Sequence, residues 1–151
     1  KIIVDYLIIM SYNETMTRIN LVPVDELMDQ HLIAEYREIT MVPGSLKRTL
    51  VSKGGYNPNK VKDEFTLNSG HVYFFYNKGK YLNDRYQDII AEMKKRGFNP
   101  DNNRKFPVDV FKDNNLFGDW TPSDRDLSIV RERIEFRISK KPDWYRKTKH
   151  I

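Results

Sequence analysis

At about 100° per residue, His31, Glu35 and Glu38 fall on one side of a helix. They share it with Val24, Leu27, Met28, Leu32 and Ile39. A surface helix does not ordinarily aim a histidine and two carboxylates into its apolar stripe, because a buried polar group without a partner is costly. Either the three line a cleft or they are paired inside. Arg133 and Arg137 form a second constellation: four residues apart, they lie on one helical face and can grip one phosphate strand together. The rest of the sequence narrows the chemistry. GxSxG, GxxxxGK[ST], HExxH and GxGxxG are all missing. With no cysteine, thiol nucleophiles, Cys-ligated zinc and disulfides are ruled out. His31, His71 and His150 are scattered without metal spacing, so no metal is expected.

The elements that must position these residues read as three substantial helices joined by irregular segments. Pro23 suits a first helical turn, and the first helix is expected to run from it to about Val42, before Pro43. A shorter helix over Ser45 to Val51 follows, ended by Gly54-Gly55 and Asn57-Pro58. The aromatic run from Gly70 to Tyr76 fits a buried strand or an irregular lead into a helix. From about Lys80 the spacing Leu82, Tyr86, Ile89, Ile90, Met93 predicts a helix, with Lys94-Lys95-Arg96 as its basic last turn and Gly97 as its C-cap. The polar stretch from Phe98 to Asp119 reads as a long surface excursion. Thr121-Pro122-Ser123-Asp124 then supplies an N-cap, a first-turn proline and an acid reaching back. Leu127, Val130, Ile134 and Ile138 form the stripe of that last helix, which stops before Pro142. Trp144-Tyr145 is expected to plug the core rather than to stack on bases.

The 151 residues fit one domain. The apolar stretch Ile2 to Met10 is nine residues broken by Asp5, too short for the roughly 20 needed to span a membrane. No cationic run precedes it and no small-residue cleavage site follows, which predicts an intracellular protein without a membrane partner. Residues 131–151 carry eight Lys/Arg against three acids, a local +5 equal to the net charge of the whole chain. Such a cluster attracts a polyanion such as DNA or RNA; on charge alone it is also a solvated helix with a frayed basic tail.

The run MTRINLVPVDELMDQHLIAEYREI, with GHVYFFY, IIAEMKKRGFN and RERIEFRISKKPDWY after it in order, resembles the pyrimidine-dimer DNA glycosylases with abasic-site lyase activity, the bacteriophage endonuclease V type. The resemblance spans about Met16 to Tyr145. It implies an all-α fold, a single domain of three principal helices with long irregular connections, the mature N-terminus threaded into a DNA-facing cleft. It also implies Thr17 as the nucleophile, through its α-amine after removal of the initiator methionine, and Glu38 as the essential carboxylate. Arg18 and Arg37 match phosphate-contacting arginines, and Arg133 and Arg137 a basic pair on the last helix. Gln30 and His31 are carried over as contacts on the DNA side. The implied partner is double-stranded DNA bearing UV photoproducts or abasic sites, bound by a monomer in the cytoplasm of a bacterial or phage-infected cell, with no cofactor. Met41 and Pro43 stand where the phage enzyme has a cleft arginine and a phenylalanine, and the tail after Tyr145 is not aromatic-rich.

The chemistry follows without the name. An α-amine has a pKa of about 7.7–8.0 against about 10.4 for lysine, so a useful fraction is unprotonated near neutrality. Attack on C1′ of a deoxyribose displaces the base and gives an imine, which acidifies the C2′ protons and permits β-elimination of the 3′ phosphate. A nearby carboxylate can stabilise the cationic sugar and move protons. Residues 1–16 are therefore read as a leader or upstream extension, and 17–151 as the glycosylase-like domain. While the leader is attached, the Thr17 nitrogen is an amide and cannot form an imine. Retention of the leader predicts a catalytically silent DNA-binding relative; a glycosylase or lyase for another lesion is the other alternative.

Overall fold

A computed structural model describes residues 18–151. Thr17 and the expected leader lie outside them. Helices α1 (Asp29–Glu38), α2 (Met41–Val51), α3 (His71–Phe74), α4 (Gly79–Lys95), α5 (Asp109–Lys112) and α6 (Asp124–Lys140) follow in order, with 3-10 turns at Val24–Glu26 and Pro58–Lys60. The fold is all-α: among the described residues there is no strand, and an isolated antiparallel bridge joins Lys78 to Phe117.

The expected first helix is divided. Pro23 opens a 3-10 turn rather than an α-helix, Leu27 and Met28 are extended, and α1 begins only at Asp29. At the other end Ile39 and Thr40 form a turn and α2 starts at Met41, so Pro43 lies in a first helical turn instead of ending a helix. Its missing N–H has no partner to lose there. The aromatic run resolves into the single turn α3. The last helix is capped two residues later than expected. The Ser123 hydroxyl accepts from Asp126 N–H and the Asp126 carboxylate accepts from Ser123 N–H, a reciprocal cap.

Helix α4 behaves as its pattern predicts. Leu82, Tyr86, Ile89 and Met93 are buried on one face, and Gly97 at φ 89° supplies the left-handed residue that ends the helix. Arg85 and Glu92 lie on that same buried face, Arg85 paired directly with α1 and Glu92 joined to it through Arg96. Arg85 makes a bidentate pair with Glu35 at 2.7 and 3.0 Å. Arg96, just past the helix end, bridges Glu92 at 2.8 Å and Asp29 at 2.9 Å. The start of α1 thus meets the end of α4 and the reverse, fixing the two helices antiparallel in one register.

The stretch from Phe98 to Asp119 is irregular except for the single turn α5, and it is no mere surface excursion: Phe106, Phe111 and Leu116 enter the core. Phe111 packs directly onto Gly79, where a Cβ would collide with its ring. The basic tail is likewise not frayed. Asp29 N–H donates to Arg146 O at 2.8 Å, Thr148 caps the Asp29 carboxylate at 2.6 Å, and His150 reaches Glu92 at 2.8 Å. Among the described residues no helix is long and apolar enough to cross a membrane.

Candidate active site

The inward side of α1 resolves both ways at once. Glu35 is paired inside: its carboxylate takes Arg85 and, at 3.2 Å, the Asn20 N–H. His31 and Glu38, four and three residues to either side, line a cleft between α1, α6 and the segment leading into the 3-10 turn. Glu35 itself, Arg18, Asn20, Arg133, Arg137 and Tyr145 also line it, around about 490 Å³ of space, open mouth included. Arg133 and Arg137 come to this cleft because they share the face of α6 that also carries Val130 and Ile134.

His31 is only 6% exposed, and neither of its ring nitrogens has a hydrogen-bond partner. Its ring stacks on Tyr145, centroids 4.9 Å apart and planes 17° apart. Burial, assisted by the Arg137 charge, pushes its pKa down to about 4, so the cleft presents a neutral imidazole at physiological pH. A buried polar ring without partners is a cost that folding alone does not explain. Trp144 and Tyr145 are half-buried rather than a core plug. Tyr145 is held at the cleft by the tail, through Gln30. That side chain is buried, donating to Trp144 O at 2.6 Å and accepting from Arg146 N–H at 3.2 Å.

Of the residues singled out from the sequence, Arg18, His31, Glu38, Arg133 and Arg137 therefore meet at one cleft. Gln30 lies behind it with both amide atoms engaged by the tail. Arg37 is exposed and not among the lining residues, its carbonyl accepting from Arg104 at 3.0 Å. Met41 is exposed at the start of α2, also off the cleft wall. Thr17 lies outside the described residues, next in sequence to Arg18.

The backbone entering the cleft is held by Glu35 and by two groups the sequence did not flag, His71 and Arg85. Ile19 N–H donates to His71 Nε2 at 3.0 Å, Asn20 N–H to Glu35, and Val22 O accepts from Arg85. Between them Leu21 adopts φ 57°, a left-handed conformation costing a branched residue about 1 kcal/mol or more. The available signal was Arg85, a charge within the apolar stripe of α4. His71 was hidden in an aromatic run that reads as core. Among the described residues no group of three or more His, Asp or Glu is arranged to hold a metal.

A model of the family described as pyrimidine dimer DNA glycosylase matches residues 16–106. The chain belongs to this family. The match begins one residue before Thr17 and takes in the entering segment, α1 and α4; α6, with its two cleft arginines, follows it. The chain is thus a glycosylase of the pyrimidine-dimer type in general character, with DNA as its substrate.

Proposed function

We propose that the cleft excises pyrimidine dimers and then nicks the resulting abasic site, with the α-amine of Thr17 as nucleophile in a chain that begins there. The observation carrying this reading is the cleft itself, which gathers Glu38, three arginines and the backbone one residue after Thr17. The amine attacks C1′ and the glycosidic bond breaks, its electron pair leaving with the base. Ring opening gives the imine, a C2′ proton is removed, and the C3′–O bond breaks to release the 3′ phosphate. Glu38 stabilises the cationic sugar and then moves protons. Arg18, Arg133 and Arg137 hold phosphates while the damaged nucleotide is exposed, a distortion costing roughly a few kcal/mol. Arg37, on the outer side of α1, is a further phosphate contact. His31 faces the substrate with a neutral ring, and Gln30 acts through the tail that carries Tyr145.

The test compares a chain starting at Thr17 with one retaining residues 1–16, on irradiated, abasic, oxidised and undamaged duplexes. The Thr17 chain is expected to nick irradiated and abasic DNA, and the extended chain neither. Equal cleavage by both, or by neither, overturns the reading; cleavage confined to oxidised DNA replaces the dimer by another lesion.

A further inference from the structure

His71 is completely buried, its ring packed edge-on against Phe65 and Phe75 at centroid distances of 5.4 and 5.3 Å. A phenylalanine would fill such an aromatic slot and would bring no polar atoms into it. The two ring nitrogens are nevertheless both used. Nδ1 lies 2.8 Å from Thr66 O, which can only accept, so Nδ1 carries the proton. Nε2 is then a lone-pair acceptor, and it receives the Ile19 N–H at 3.0 Å. This assignment requires a neutral ring, and burial provides one, lowering the pKa to about 4 despite the Thr66 hydrogen bond.

Ile19 is the furthest upstream of the three anchored residues, ahead of Asn20 on Glu35 and Val22 on Arg85. Two residues of chain span at most about 7 Å, so the Ile19 bond limits where a nitrogen at position 17 can go. The other two anchors act further along the chain, so neither limits that distance as closely. We infer that His71 is a positioning residue for the reaction: by accepting the Ile19 N–H it sets the distance between the nucleophilic nitrogen and Glu38. This inference rests on the amine reading given above.

The experiment uses chains beginning at Thr17 and an abasic duplex, measuring single-turnover borohydride trapping alongside duplex affinity and thermal unfolding. His71→Phe keeps the aromatic packing and deletes the acceptor. Misplacement of a reacting group by about 1 Å can cost on the order of 10²-fold, and a trapping rate lowered by about that factor with unchanged affinity is expected. Replacing Ile19 by its α-hydroxy acid removes the donor N–H alone, and should slow trapping in the same way. His71→Gln, which returns an acceptor oxygen, should recover most of the rate. Wild-type trapping rates in both His71→Phe and the ester variant would overturn the inference, as would rate and affinity falling together. Absence of any adduct from the unsubstituted chain is a different failure, in which the amine reading falls and takes the inference with it.

Discussion

Glu35 and Glu38 stand one turn apart on α1 and both line the cleft, yet they belong to regions that treat charge differently. Glu35 is fully enclosed, its oxygens committed to Arg85 and the Asn20 N–H. Glu38 is half-buried on a cleft wall shared with three arginines and a neutral histidine. The buried network around Glu35, extended by Asp29, Glu92 and Arg96, satisfies its charges with one another and fixes helix register. The cleft region leaves His31 without hydrogen-bond partners. Charges that complete each other hold a fold; a buried imidazole left without a partner at a cleft keeps its hydrogen-bonding capacity for a ligand.

The sharpest way to break this contrast is to exchange the two carboxylates' fates by mutation. Glu38→Gln is expected to lower strand cleavage by about 10²–10⁴-fold, the usual worth of a proton-transferring group, with duplex binding and unfolding unchanged. Unaltered cleavage would contradict its role. Glu35→Ala should act in the other sense, destabilising the protein by about 3–5 kcal/mol because it strands a buried guanidinium. A denaturant titration giving near wild-type stability would place Glu35 outside the structural network.

Acid should separate the regions next. His31 and His71 have pKa values lowered to about 4, so between that value and the ordinary 6.5 the unfolded chain binds more protons than the folded one. Stability therefore rises with pH through this window and is lost as pH falls. At pH 5 the loss is on the order of 2 kcal/mol per histidine. Burial is the main cause in both, with Arg137 beside His31, and Arg18 and Arg133 beside His71, adding to it. His31→Phe should remove about half of the slope between pH 7 and 5; a slope unchanged by it would contradict a buried, neutral His31. The smallest effect concerns the cleft wall alone. Arg133→Ala should weaken binding to any duplex and reduce the salt slope by about one unit, and a loss confined to damaged DNA would contradict a phosphate contact.

The same division explains what could be read from the sequence. Helix α4 was legible because its stripe is long and Gly97 closes it. The bounds of α1 are not legible at either end: a proline admits either a 3-10 or an α-helical start, and Pro43 is as acceptable in a first turn as after a last one. The cap of α6 slipped from Thr121 to Ser123 because adjacent residues offer equivalent chemistry, and only the path of the chain chooses between them. Periodicity grouped His31, Glu35 and Glu38 correctly on one side of a helix. It could not separate them, since the partner that withdraws Glu35 is Arg85, fifty residues on. The tail was unreadable for a similar reason: its order comes from Asp29, Gln30 and Glu92, all distant in sequence.

The most direct test of the central claim is to reduce the enzyme–DNA intermediate with borohydride, digest the product and locate the adduct by mass spectrometry, starting from a chain that begins at Thr17. A single modified site is expected, the α-nitrogen of Thr17, lost in Glu38→Gln. An adduct on a side-chain amine, such as Lys78, whose burial lowers its pKa to about 8, would contradict it.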